Sequence, residues 1–264
     1  MTDGTAAPRE GAPYGSAPLA GRAVLVTGGS SGIGRAIALA SARAGADVAL
    51  TYRTNDTGAH DVEAEIRALG RRAAVFQLDL ADRESIHALG PAARDALGRV
   101  DVWVNNAGAD ILTGAAARTS VIARLDLLLA VDLRGTMLAS WQAAEILSDG
   151  GVIINMSWDH VQTGMAGTNP QLFAAVKGGV LAFSKSLARS LAPRVRVNMI
   201  APGWIETSFG AGVDEDVYRD VAESTPLKRW GTPDDVAGAA VFLASPAASF
   251  LTGETIHVGG GIVM

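Results

Sequence analysis

The chain contains no cysteine. That excludes a disulfide scaffold, a thiolate nucleophile and a cysteine-ligated zinc site, and it agrees with a reducing compartment. No uninterrupted apolar run reaches about 18 residues, so no transmembrane helix is expected. There is no excess of basic side chains: the net charge is −5 and the pI about 5.4, which leaves no positive field to gather nucleic acid. No His, Asp and Glu cluster has metal-ligand spacing. Residues 1–20 are rich in Ala, Gly and Pro and carry Asp3 and Glu10, but they lack the apolar core of a signal peptide. They read as a flexible tail or, alternatively, as an arm that docks on a partner subunit. The expectation is a cytoplasmic chain whose partner is a small molecule.

The chain as a whole has an ordinary globular balance, with 48% hydrophobic and 19% charged residues over a length sufficient for a large core. From Ala23 onward, short apolar runs alternate with helical stretches. Strands are predicted at Ala23 to Thr27, Asp47 to Tyr52, Ala73 to Leu78, Val102 to Asn105, Val152 to Met156, Arg196 to Ile200 and Thr255 to Val258. Helices are predicted at Gly32 to Ala44, Asp61 to Leu69, Ser85 to Leu97, Ile122 to Leu147, Pro170 to Leu191 and Pro233 to Leu243. Strands that are apolar throughout are buried on both faces, and their alternation with helices implies right-handed crossovers. The fold class is therefore α/β: a doubly wound parallel sheet of about seven strands with helices on both faces, in one domain spanning 21–264. Gly203 to Gly231 breaks the rhythm. It carries acidic clusters and the exposed-looking aromatics Trp204, Phe209, Tyr218 and Trp230. A long irregular insert of this kind reads as a substrate lid, with a pair of surface helices as the plainer alternative.

Thr27-Gly28-Gly29-Ser30-Ser31-Gly32-Ile33-Gly34 follows the first strand and opens the first helix. That context makes the glycines a dinucleotide loop of Rossmann type: Gly28 for the turn, Gly32 for close approach to the pyrophosphate, Gly34 for helix-on-strand packing. The acidic residue that would hold a ribose 2′-hydroxyl belongs at the end of the second strand. Tyr52 and Arg53 stand there instead. A guanidinium pairs with a 2′-phosphate where a carboxylate would repel it, and Ser30 and Ser31 offer hydroxyls, so NADP(H) is favoured over NAD(H).

The same loop resembles the Thr-Gly-x-x-x-Gly-x-Gly signature of the short-chain dehydrogenase/reductase family. The resemblance runs from about residue 20 to 262. Asp79-Leu80 resembles the family's adenine contact, and Asn105-Asn106-Ala107-Gly108 its motif after the fourth strand. Pro202-Gly203-Trp204-Ile205-Glu206-Thr207 resembles the segment that holds the nicotinamide carboxamide. Leu251-Thr252-Gly253 and Gly259-Gly260-Gly261 resemble the C-terminal region, with Gly259 where Asp is usual. The resemblance implies an oxidoreductase, commonly a dimer or tetramer paired through its long helices and last strand.

It also implies an active site of Asn, Ser, Tyr and Lys, with Tyr-x-x-x-Lys on a helix. Only Lys177 is kept. Phe173 stands at the Tyr position and has no hydroxyl to donate. Asp132 stands at the Asn position. The serine aligns with Trp158, while Ser157 is expected to point the other way along the strand. The loop after the fifth strand carries about two residues more than usual. His160 lies 13 positions before Phe173, so Asp159 and His160 are candidate proton donors, or else satisfied loop residues. Lys177 is expected to bind ribose and stabilise negative charge. Asp132 either pairs with Lys177, holds a cationic substrate group, or ties to a backbone group. Three functions remain open on this reading: an NADP(H)-dependent oxidoreductase acting on a small organic C=O or C=N group with a rewired acid/base, a non-redox enzyme on the same fold, and a non-catalytic NADP(H)-binding protein.

Overall fold

The computed structural model describes residues 17–207 and 213–263. Most of the N-terminal tail, Phe209 and Met264 therefore lie outside the described residues. The first half runs β1 (Ala23–Val26), α1 (Gly32–Arg43), β2 (Asp47–Tyr52), α2 (Asp56–Ala68), β3 (Ala73–Gln77), α3 (Arg83–Leu97) and β4 (Val102–Asn105). The second runs α4 (Val121–Leu128), α5 (Thr136–Ile146), β5 (Gly151–Met156), α6 (Thr168–Leu191), β6 (Val195–Pro202), α7 (Glu215–Ser224), α8 (Pro233–Ala244) and β7 (Thr255–Val258). The strands form one seven-stranded sheet in the order β3-β2-β1-β4-β5-β6-β7, every adjacent pair parallel.

Side-chain alternation along each strand divides the core into two layers. Val24 and Val26 pack with α1, α2 and α8 on one face, while Ala23 and Leu25 pack with α3, α5 and α6 on the other. This is the expected three-layer sandwich, and the all-apolar strands follow from burial on both faces. The chain leaves β1 for β2 on one side and returns to β4 on the other. Between β1 and β4 the direction of winding reverses, and the carboxyl ends of the strands open a crevice there.

Three regions differ from the sequence-based expectation by more than a shift of one or two residues at an end. The helix expected over Ile122 to Leu147 is divided into α4 and α5 by a π-helical stretch, Leu129–Gly135, which widens the turn around the buried Asp132. The helix expected from Asp61 begins five residues earlier, because the Asn55 side chain caps it by accepting from the Gly58 amide. The region 203–231 is only partly irregular, since it contains α7. Its described aromatics, Trp204, Tyr218 and Trp230, are also less exposed than expected. Trp230 is 1% exposed, its indole N–H donates to the Tyr218 carbonyl, and Tyr218 and Trp204 pack on its ring. Among the described residues no helix is long and apolar enough to cross a membrane.

α8 ties this region back to the sheet through a capping box. Thr232 accepts from the Asp235 amide, and the Asp235 carboxylate accepts from the Thr232 amide and from Arg229. The Arg229 guanidinium, followed by the Thr232 backbone, holds the Asp235 carboxyl well below its ordinary value. A depressed carboxyl stabilises the fold above its unfolded pKa and loses that contribution as the pH falls. Asp235→Ala is expected to cost about 1 kcal/mol at pH 7. In thermal melts, the gap between variant and wild type should narrow as the pH drops below about 4. A gap that is constant with pH would show that the ion pair contributes nothing.

Candidate active site

The crevice at the β1/β4 switch is a cleft of about 510 Å³. Its floor is held by the ends of two strands. The Thr27 hydroxyl accepts from the backbone amides of Asn106 and Ala107, and the Asn106 side chain donates to the carbonyls of Thr27 and Gly28. Gly28 has a φ of +67°, the left-handed turn that lets the chain swing from β1 into α1. Gly34 is tighter still: a methyl group there would overlap the Gly28 carbonyl. The first turn of α1 contains no acidic residue and Ser31 makes no side-chain cap, so the free amides of this helix start face the cleft uncompensated.

The expected nucleotide-binding residues gather in two adjoining cavities. Gly28, Ser30, Ser31, Gly32, Ile33, Gly34, Tyr52, Arg53, Asp79, Leu80, Asn106, Ala107 and Gly108 line the cleft. Lys177, Pro202, Gly203 and Ile205 line a second cavity, and Ile33 and Thr207 are common to both. At the end of β2 the cleft presents Tyr52, an exposed Arg53, Thr54 and Asn55, with no carboxylate among them. Asp56, the next residue, accepts from the Tyr52 hydroxyl and raises the phenol above its ordinary pKa.

The second cavity measures about 440 Å³ and is bounded by Trp158, Phe173, Trp204, Trp230, Leu112 and Met165, with Lys177, Ser157 and Asn169 as polar points. Phe173 and Lys177 share a face of α6, as their spacing requires. The Lys177 ammonium lies 2.9 Å from Asp132 Oδ2, and the other Asp132 oxygen accepts from the Ala109 amide at 2.7 Å. Asp132 thus realises two of its expected roles at once, ion pair and backbone tie. A Cβ on Gly108 would lie 2.8 Å from its carboxylate, so the Asn105–Gly108 motif leaves room for it.

Ser157 is not turned away from the site as strand alternation predicts. Both Ser157 and Trp158 border the cavity, although the backbone stays extended past the end of β5: the Ser157 amide donates to the Ile200 carbonyl and Trp158 has φ −146° and ψ 141°. The Ser157 hydroxyl donates to the Lys177 carbonyl at 3.3 Å. Asp159 and His160 are not among the residues that line the cavity. Asp159 is fully buried, with one carboxylate oxygen 2.6 Å from His160 Nδ1 and the other without a hydrogen-bond partner. Burial pushes its carboxyl above the ordinary value, against the lowering effect of the His160 hydrogen bond. The His160 ring stacks on Trp158 at 5.2 Å between centroids, and Trp158 faces Phe173 at 6.3 Å. Asn169 and Met165 were not indicated by the sequence, since neither belongs to a motif. α6 and the loop before it carry them into place.

Residues 28–263 match a family model described as enoyl-(acyl carrier protein) reductase. A 3-oxoacyl-[acyl-carrier-protein] reductase of Aquifex aeolicus is 36% identical over 253 residues, 92% of this chain and 98% of that protein. The chain belongs to the short-chain dehydrogenase/reductase family. A 3beta-hydroxysteroid dehydrogenase of Eggerthella lenta is 35% identical over 259 residues, 93% of this chain and 95% of that one. A short-chain dehydrogenase of Burkholderia cenocepacia, solved in complex with NADP, superposes with a TM-score of 0.84 at 35% identity, covering 93% of this chain and 99% of that one. Membership of this family makes the chain a relative of oxidoreductases and accounts for the seven-stranded sheet.

Proposed function

We propose that the chain is an NADP(H)-dependent oxidoreductase that transfers hydride to or from a small organic C=O or C=N group. The observation that carries this reading is the intact nucleotide cleft: an uncapped α1 start free of acidic residues, with Arg53 in place of a carboxylate at the end of β2. Amides at the α1 start suit the pyrophosphate, and Arg53 with Ser30 and Ser31 suits a 2′-phosphate. Asp79 and Leu80 suit the adenine, Asn106 to Gly108 and Lys177 the ribose, and Pro202 to Thr207 the carboxamide. The bound nicotinamide supplies the hydride.

The chain's own residues set the rest of the chemistry. Phe173 carries no acidic hydroxyl, so the proton transfer usual at that position is not made there. Lys177 is the ionisable group that lines the substrate-side cavity, and its ammonium, oriented by Asp132, stabilises negative charge developing on the substrate. A protonated C=N substrate asks least of such a site, because it brings its own proton. The relatives named above act on open-chain acyl and fused-ring steroid substrates, so the family alone leaves the substrate open. Exposed Ile122, Leu129 and Trp141 on the α4–α5 side suit a homo-oligomer, and the region 203–231 suits a lid.

NADPH oxidation against a panel of ketones and cyclic imines tests this reading. Phe173→Tyr should leave the rate on the preferred substrate no higher. A gain of 100-fold or more in ketone reduction would contradict a rewired site. The missing phenol favours one other reading, a protein that binds NADP(H) without turning over. Tight NADPH binding with no oxidation across the panel would decide for it, and turnover without any change in nicotinamide absorbance would decide for a non-redox enzyme.

A further inference from the structure

The buried Asp159–His160 pair has no part in the chemistry above, and burying an ionisable group without function is costly. Asp159 is 0% exposed and satisfied on one oxygen only. Its second oxygen sits in a gap made by two glycines. A Cβ on Gly259 would lie 2.6 Å from that oxygen, and one on Gly203 would lie closer still. The chain has therefore kept backbone bare on two sides of this carboxylate. The first oxygen meets His160 Nδ1 at 2.6 Å, which fixes the orientation of the imidazole. The imidazole in turn lies against the Trp158 indole with an interplanar angle of 27°. Trp158 and Phe173, inclined at 54° to one another, both line the cavity as two walls of a wedge, and His160 is not among the lining residues. Among the described residues that line it, the one charged side chain is Lys177, whose ammonium is already paired with Asp132, and the rest of the wall is mainly apolar and aromatic.

We propose that this wedge binds its substrate as a flat ring laid on Trp158, and that Asp159 and His160 are positioning residues that hold the indole in place for it. The inference deepens the oxidoreductase reading by naming a substrate class: fused or conjugated cyclic ketones and imines, rather than open-chain acyl groups. Aromatic faces reward flat partners beyond the area they bury, and an indole already held by a stacked imidazole loses little freedom when a ring lands on it. His160 works through Trp158 and does not touch the substrate. The Asp159 carboxylate works one step further back, through His160.

Isothermal titration of the full chain with three probes tests this: 2-tetralone, 3,4-dihydroisoquinoline and the N-acetylcysteamine thioester of acetoacetate, each with and without saturating NADP+. Both ring probes should bind at least about tenfold more tightly than the thioester. Trp158→Leu, which keeps apolar bulk but removes the flat face, should bring the preference within about twofold. Asp159→Ala should lower it several-fold while leaving NADPH affinity unchanged, and Asp159→Asn, which retains an acceptor for His160, should preserve it. If Asp159→Ala does not fold, Gly259→Ala presses on the same carboxylate from the other side and should lower the preference likewise. Equal binding of rings and thioester by the wild type, or a preference untouched by both Asp159→Ala and Gly259→Ala, would overturn the proposal. Ring binding without any NADPH oxidation would sink the redox reading and leave this one standing, and NADPH turnover without ring preference would do the reverse.

Discussion

Lys177→Met is expected to cost about 3–5 kcal/mol of folding stability, because it strips the partner from a charge that water cannot reach. Asp132 is 2% exposed on its side chain and Lys177 12%, with 2.9 Å between ammonium and carboxylate. The Ala109 amide on the other oxygen is one hydrogen bond against the desolvation of a whole carboxylate. The double variant Lys177→Met/Asp132→Asn should recover most of the loss, since an amide can still accept from Ala109 and carries no charge. Urea denaturation of the two single variants and the double variant forms a closed cycle, and a large coupling term is expected. If Lys177→Met costs less than about 1 kcal/mol, the pair is hydrated and of the surface kind. The charge-stabilising role given to Lys177 would then lose its low-dielectric setting.

The second large effect is expected at Gly34. A methyl there would overlap the Gly28 carbonyl, would lie 2.8 Å from its carbonyl carbon, and would lie 2.5 Å from Asn106 Nδ2. None of these neighbours is the end of a flexible side chain: two belong to the backbone, and the Asn106 amide is pinned by hydrogen bonds to Thr27 and Gly28. Overpacking of this kind costs about 1–3 kcal/mol. The strain falls on the loop that must approach the pyrophosphate, so Gly34→Ala should weaken NADPH binding by roughly 10- to 100-fold. Gly238→Ala provides the contrast. That glycine lies exposed within α8 with no atom near its missing Cβ, so the substitution should raise stability by about 0.5–1 kcal/mol and leave nucleotide binding alone. Nucleotide affinity unchanged in Gly34→Ala would mean that the loop does not hold the pyrophosphate.

Most of the fold was legible because its signals are local. Strands buried on both faces are apolar throughout, and β2, β4 and β7 begin and end at the expected residues. The phosphate loop was legible for the same reason: its glycines answer to a turn and a contact between near neighbours in sequence. Signals that depend on distant partners were not. The π stretch around Asp132 answers to Lys177 and Ala109, which no periodicity reveals. Trp230 looked exposed because it stands in a polar segment, but Tyr218 and Trp204 cover it. The candidate acid/base pair was visible as a pair of ionisable residues near the right place, yet the sequence could not show that Asp159 turns into a gap left by Gly203 and Gly259 and away from the cavity. A buried network under the site was equally hidden. Asn105 donates to Asn155 and Ser140, and Asn155 donates to Ser184, so that β4, β5, α5 and α6 are locked together beneath the two cavities. Each of those residues reads alone as an unremarkable polar side chain.

The proposed function requires the cleft at the β1/β4 switch to select a nicotinamide dinucleotide carrying a 2′-phosphate. Titration of the purified chain with NADPH and with NADH, followed by nicotinamide fluorescence, tests it most directly. NADPH should bind at least about tenfold more tightly than NADH, and Arg53→Ala should bring the two together by weakening NADPH alone, in line with the loss of one charge-assisted phosphate contact. Failure of a folded protein to bind either nucleotide, or tighter binding of NADH than of NADPH, would contradict it.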